Sequence, residues 1–314
     1  MTIRHYLLHG MPVRSEVALP ETEQAQPFAS SGGELRIVLG PAEVSAPDFP
    51  EGVREILRVS SGDRVMQIGG VTRTSSWLLR WPEVLELRLD PSATVLTAVP
   101  DPRADAGFLP ILLGASALAF VLTVRQHLVL HGSCVAIDDE ATVIVADSGG
   151  GKSTLSALLC AAGAKFVSDD VVRVDLGSVP TVHRGSRELR LRPTNPEVAE
   201  LLSAHPSRVT ADDRTAVQVP GFEEATLPLR RVVLPVLHPS LDAAYSEAVS
   251  PPEALLLLLG KLRVPGVRDA AFHEPQFTQL AELVQTVEIR RLHLPWTRPF
   301  TREIAASYVD AITE

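Results

Sequence analysis

The residues whose types and spacing could do chemistry are Lys152 and Ser153 behind three glycines, the pair Asp169-Asp170 after them, and His131 before them. An apolar run, Val143-Ile-Val-Ala146, leads into Asp147-Ser-Gly-Gly-Gly-Lys-Ser-Thr154 and then into a helical sequence. Backbone N–H groups of such a glycine turn converge on one point, and the positive end of the helix opening there adds to them. That is a cradle for phosphate. Asp147, Ser148, Gly149, Gly150, Gly151, Lys152, Ser153 and Thr154 are the expected nucleotide-binding residues. Lys152 would reach the outer phosphates and Ser153 would hold magnesium. The pattern G-x-x-x-x-G-K-[ST] asks for glycine where this chain has Ala146, and a negative φ is expected there. The plain alternative is a turn that merely links strand to helix.

Asp169-Asp170 lies seventeen positions past Lys152, at the end of the next apolar strand. A strand–helix–strand unit returns that strand end beside the loop. One carboxylate there can ligate magnesium, and the other can take the proton of an acceptor hydroxyl. A solvated turn is the bland reading of such a pair. His131 lies twenty-one positions before Lys152, inside an apolar strand and next to Gly132. Alone it reads as a hydrogen-bonded core histidine.

Together, His131-Gly132, Ala146 to Thr154 and Val167-Ser-Asp-Asp-Val171 resemble, in order and spacing, the catalytic core of the HPr kinase/phosphorylase family. The match runs from Leu128 to Asp175. The whole chain resembles divergent HPr-kinase-like proteins in which a β-rich domain stands in front of the kinase core. Some of those are associated with ribosomally made peptides, lasso peptides among them, and phosphorylate a serine of the precursor. Gly10-Met-Pro-Val-Arg-Ser-Glu16 and Leu19-Pro-Glu21 are similar to the start of such proteins.

The resemblance implies an ATP- and Mg²⁺-dependent kinase acting on a serine hydroxyl of a peptide or small protein. By it, Lys152 and the loop amides bind the β-phosphate, and Asp169 is the general base. Ser153 and Asp170 hold Mg²⁺, and His131 orients the aspartates. Glu188-Leu-Arg190 is similar to a later Glu-x-Arg segment of the family whose glutamate belongs to the metal site. The glycines that follow there in the family are missing here, and a plain edge strand is the alternative. A small-molecule hydroxyl as acceptor, or an ATPase module without phosphotransfer, are the competing functions. HPr kinases are oligomers, so a homo-oligomer is also open.

The elements that must position these residues fall into two parts, as a length of 314 residues suggests. Residues 1–104 read as a β-rich domain of short apolar runs separated by turns, Gly69-Gly70 among them. Glu21 to Gly33 reads as a polar loop. Residues 105–314 read as an α/β domain, and the resemblance implies a P-loop kinase core of the HPr kinase/phosphoenolpyruvate carboxykinase type. An apolar helix over Phe108–Val124 opens it. A strand over Leu128–Ile137, a turn at Asp138-Asp-Glu140, a strand to Ala146, and a helix from Lys152 to Ala162 with Gly163 behind it follow. Later come a strand over Glu188–Arg192, a helix over Asn195–Ala204, and a strand over Leu227–Leu237. A helix over Ala254–Leu262 opens with a capping-box pattern at Ser250-Pro-Pro-Glu253. A helix over Phe277–Val287, a strand to Leu294 and a helix over Arg302–Ile312 close the chain.

Composition excludes some functions. A net charge of −9 argues against a nucleic-acid binder that neutralises phosphates. Cys134 and Cys160 have no metal spacing and suit reduced thiols in a cytoplasmic protein. The remaining histidines make no zinc spacing. The first sixteen residues mix charges with apolar residues, unlike a signal peptide. Phe108–Val124 is interrupted by Pro110 and Gly114, and a buried helix is expected rather than a membrane span. Only Lys152, Lys165 and Lys261 are lysines, so the compact charge at position 152 stands out. Arg230-Arg231, Arg263, Arg268 and Arg290-Arg291 could clamp phosphate or a peptide carboxylate, with a solvated face the better reading for most, and Trp77, Trp81 and Trp296 read as core.

Overall fold

The computed structural model describes residues 2–19, 33–46, 48–193, 196–264 and 267–314. The loop expected over Glu21 to Gly33 lies outside them but for Gly33, as does Asn195. Contacts divide the chain into two units, Met1–Gln126 with Val264–Pro275, and His127–Arg263 with Gln276–Glu314.

The first unit is built on an eight-stranded sheet in the order β1-β2-β3-β8-β7-β6-β5-β4. These are β1 Arg4–Leu8, β2 Met11–Ser15, β3 Leu35–Leu39, β4 Val53–Ser61, β5 Arg64–Thr72, β6 Trp77–Trp81, β7 Leu85–Leu89 and β8 Val95–Pro100. From β4 to β8 the strands form an antiparallel meander, whereas β3 runs parallel to both β2 and β8. Gly69-Gly70 is not a turn but the middle of β5. A side chain on Gly70 would meet Val53 Cγ1 at 2.5 Å and the Phe49 ring at 2.9 Å, so glycine serves close packing. The apolar stretch forms α1 (Phe108–Leu112), a π-helical segment Leu113–Ala117, and α2 (Leu118–Val124). Leu118 to Thr123 are all buried, and the stretch counts with this unit rather than opening the second. Among the described residues no helix is long and apolar enough to cross a membrane.

In the second unit the stretch Leu128–Ile137 is two strands, β9 (Leu128–Leu130) and β10 (Gly132–Ile137), separated at His131. The chain changes partners there: β9 pairs β13 (Val172–Asp175), and β10 pairs β11 (Glu140–Val145) and β12 (Lys165–Asp169). Asp138 and Asp139 turn the β10–β11 hairpin with φ of 52° and 59°, as a tight two-residue turn requires. A helix, α3 (Lys152–Ala161), joins β11 to β12, and Gly163 behind it has φ 108°.

After β14 (Thr181–His183) come β15 (Glu188–Leu191), α4 (Pro196–Leu201), β16 (Ser207–Val209) and β17 (Thr215–Gln218). β15, β17 and β16 form a separate antiparallel sheet with β15 at its edge. The long β18 (Thr226–His238) lies parallel to β11 on one side and to β20 (Glu288–Pro295) on the other. β19 (Tyr245–Ala248), α5 (Pro251–Leu259), α6 (Ala270–Thr286) and α7 (Arg302–Thr313) complete the order. Ser250 takes the extended N-cap conformation but makes no side-chain cap bond, so the capping box is not formed. α6 begins well before Phe277 and carries Pro275 inside it; Asp269 Oδ1 accepts the Ala271 N–H at its start.

Both faces of the main sheet are apolar. Val143, Val145 and Val232 join Ala254, Leu258, Leu280 and Leu283 of α5 and α6. Ile144 and Val233 join Leu155, Leu158, Tyr308 and Ile312 of α3 and α7. Alternation along buried strands thus feeds two cores at once.

Candidate active site at the glycine loop

Strand register brings the chemistry to one edge of the second unit. β10 runs antiparallel to both of its neighbours, with Gly132 opposite Val145 and Ser133 opposite Asp169. The start of β10 and the ends of β11 and β12 therefore coincide, and His131, Ala146 and Asp170 all sit where those strands give way. Buried hydroxyls brace the place. Ser156 Oγ of α3 bonds Ser133 Oγ at 2.7 Å, and Ser133 Oγ donates to Ser168 O at 3.1 Å.

The loop owes its shape to its glycines. Gly149 and Gly151 have φ of 82° and 84°, a region costly for other residues. Gly150 is needed for space: a Cβ there would meet the Ala146 Cβ at 2.8 Å and Asp147 O at 3.1 Å. Ala146 itself has no positive φ, as expected. Glycine at the N-cap of α3, Gly151, supplies no side-chain cap to the opening of the helix. Lys152 is buried, and its Nζ donates to Ala146 O at 2.8 Å and to Asp147 O at 3.1 Å. Burial lowers its pKa against the pull of Asp169, Asp170 and Asp147. Thr154 is buried in α3, whereas Asp147, Ser148 and Gly149 are exposed.

The two aspartates are neighbours with opposite surroundings. Ser153 Oγ lies 3.1 and 3.0 Å from the oxygens of Asp169, and the Arg190 N–H donates to Asp169 Oδ2 at 3.4 Å. Burial, then the charge of Asp170, pushes Asp169 above the usual carboxylate value, against Arg190 and the Ser153 hydrogen bond. Asp170 adopts φ 71°, which turns its carboxylate toward two arginines and a histidine. Arg263 Nη2 lies 2.7 Å from it, His131 Nε2 3.3 Å and Arg190 Nη2 3.8 Å. Burial alone would raise Asp170, but Arg263, His131 and Arg190 hold it well below the usual range. Environment thus moves two adjacent carboxylates in opposite directions, Asp169 up and Asp170 down.

Of the residues expected from sequence, His131, Asp147, Lys152, Ser153, Asp169 and Asp170 are joined by contacts at the loop. The expected magnesium set of Ser153, Asp170 and Glu188 is arranged differently. Ser153 bonds Asp169, Asp170 faces cations, and Glu188 is held by Arg208 Nη2 at 2.7 Å. Among the described residues no group of three or more His, Cys, Asp or Glu side chains is placed to hold a metal. Arg263 and Arg208 already pair with the carboxylates of Asp170 and Glu188, which disfavours a second cation on either.

Four basic residues stand at the site besides those expected, and of these only Lys261 and Arg192 had no reading in the sequence. Arg190, two positions along β15 from Glu188, reaches Asp170 and, at 3.6 Å, Asp212. Arg192 Nη2 lies 3.4 Å from Ser148 Oγ. Arg263, expected in solvent, is the closest partner of Asp170, and Lys261 Nζ donates to Asp147 Oδ1. Lys261 and Arg263 reach the site because residues 261–263 hydrogen-bond alongside β9: His131 N donates to Lys261 O at 2.7 Å and Arg263 N to Val129 O at 2.9 Å. Leu262 between them bridges Leu130, so the alternate side chains share the opposite side. The signal available was the rarity of lysine, which marks Lys261 as it marks Lys152.

No protein-family model matches the chain, and no curated protein matches it. Among solved structures, the HPr(Ser) kinase/phosphatase from Coxiella burnetii is similar at a TM-score of 0.32 and 14% identity. The alignment covers 59% of this chain and 90% of that one. A likeness of that size carries no weight for the site, which stands on its own geometry.

Proposed function

We propose that this protein is an ATP- and Mg²⁺-dependent phosphotransferase whose acceptor is a serine hydroxyl of a peptide or small protein. The observation that carries the reading is the Ser153–Asp169 pair at the mouth of an uncapped glycine loop, with a second carboxylate beside it held ionised by Arg263, His131 and Arg190. The loop amides and Lys152 would bind the phosphates of the nucleotide, as a glycine turn and helix N-terminus do for anions. Magnesium, held by Ser153 and by oxygens of the nucleotide itself, would neutralise charge on the phosphates and leave Asp169 free as a base.

Asp169 then takes the proton. In the reaction the acceptor oxygen forms a bond to the terminal phosphorus, the bond from phosphorus to ADP breaks, and the hydroxyl proton passes to a carboxylate. A base needs a pKa nearer the working pH than an ordinary aspartate has, and burial beside Asp170 moves Asp169 that way. Asp170 is the poorer base because Arg263, Arg190 and the His131 contact hold its charge. Its part is to fix His131, Arg190 and Arg263 around the transferring group.

The test is to incubate the full chain with ATP, Mg²⁺ and serine peptides and to weigh the peptides for added phosphate. Asp169→Asn is expected to lower labelling by about a hundredfold or more. ATP consumption unchanged in that variant, with no peptide labelled by either protein, would refute phosphotransfer. A free metabolite labelled in place of peptides would redirect the acceptor class.

A further inference from the structure

Asp147 has an unusual position for the second residue of a phosphate loop. Its carboxylate is 86% exposed, yet it bonds the Nζ of Lys261, a side chain only 15% exposed. It also feels the charges of Lys152 and His131. An internal anion therefore stands among the cations that face the loop. Lys261 is held there by backbone: its carbonyl accepts the His131 N–H, and Leu262 bridges Leu130. The ammonium is fixed and sheltered, while the carboxylate opposite is on a solvent-facing tip and can rotate away.

We infer that Lys261 is a second phosphate-binding cation of the site, specific for the terminal phosphate of a nucleoside triphosphate, and that Asp147 is its built-in competitor. This rests on the phosphate-site reading above. Lys152 sits on the carbonyls of Ala146 and Asp147, at the base of the loop. Lys261 approaches the same residue from the segment beside β9, through its side chain. Two ammonium groups on two sides of one residue suit a chain of phosphates better than a single one. Binding of the triphosphate moves the Asp147 carboxylate off Lys261 and replaces one anion by another. The exchange keeps Lys261 paired in both conditions, which avoids leaving a sheltered charge alone.

The experiment measures the affinity of the full chain for a non-hydrolysable ATP analogue and for ADP, each with Mg²⁺, by titration calorimetry. Lys261→Ala is expected to weaken the triphosphate by about tenfold or more, the scale of one charge-assisted hydrogen bond, and ADP by much less. Asp147→Ala is expected to tighten the triphosphate several-fold, and to lose that effect when Lys261 is already alanine. Should Lys261→Ala fold poorly, Lys261→Met keeps the stem, and the Asp147→Ala arm needs no change at Lys261. Weaker or unchanged triphosphate binding by Asp147→Ala, or equal tightening without Lys261, overturns the inference. If Lys152→Ala abolishes binding while both other variants match the native protein, only the role of Lys261 falls. If the native protein binds neither nucleotide, the phosphate site itself falls, and Lys261 with it.

Discussion

Asp169 and Asp170 differ by one position and by almost everything else. Asp169 is raised by burial and by its neighbour's charge, so its ionised form costs stability at neutral pH, and the cost fades as pH falls through its folded value. Asp169→Asn is therefore expected to abolish transfer while raising the urea midpoint, a trade between stability and activity. A lower midpoint would contradict the assignment. The same shift places the acid limb of the rate profile above the ordinary aspartate value of about 3.9. Asp170 has the opposite sign. Its folded value is depressed, so its contribution is complete above about pH 4 and is lost as pH falls through the folded value. Arg263→Ala removes its nearest cation and should cost about 2 kcal/mol at neutral pH, with the gap to the native protein closing in acid. Urea unfolding at pH 7 and below pH 4 would measure both.

At the scale of elements, the loop between β11 and α3 is built as a lock of two small residues. Ala146 carries the methyl group that a standard loop lacks, and Gly150 leaves room for it. Gly150→Ala is expected to cost about 1–3 kcal/mol through overpacking and to reduce nucleotide affinity. Ala146→Gly in the same chain should restore much of both, because it removes the opposing Cβ at 2.8 Å. Alone, Ala146→Gly should be close to neutral for binding. Failure of the second change to rescue the first would show that the Asp147 backbone, 3.1 Å away, sets the limit. β12 and β13 make the companion point. Asp170, with φ 71°, separates them and hands the chain from β10 to β9. The break aims one carboxylate at Ser153 and the next at Arg263.

At the scale of the molecule, the first unit is completed by residues from late in the chain. Val267 bridges Leu57, Arg54 Nη2 lies 2.7 Å from Asp269 Oδ2, and Phe272 packs edge-on against Trp77 at 5.1 Å. A fragment of residues 105–314 is expected to be poorly soluble, since it exposes Phe120 and Phe272 without their Trp77 partner. A full chain nicked between the units should keep both parts together under native conditions. Circular dichroism and size-exclusion of the two preparations would check this, and a monomeric, fully folded 105–314 fragment would refute it.

Short-range patterns were legible in the sequence alone. The hairpin at Asp138-Asp139, helix α3 with its glycine stop, and the order His131, Lys152, Asp169-Asp170 follow from periodicity, turn chemistry and spacing, which act over a few residues. What only the tertiary structure decided is pairing between distant segments. Arg190 on β15, and Lys261 and Arg263 beside β9, lie far along the chain from the loop they serve, and an arginine in sequence looks the same in solvent as on a buried aspartate. Gly70 tells the same story: a glycine pair means a turn locally, and close packing only when Val53 and Phe49 are brought against it. The division of labour between Asp169 and Asp170 belongs to this second class. Two identical side chains acquire different pKa values only from the charges and the burial that folding supplies.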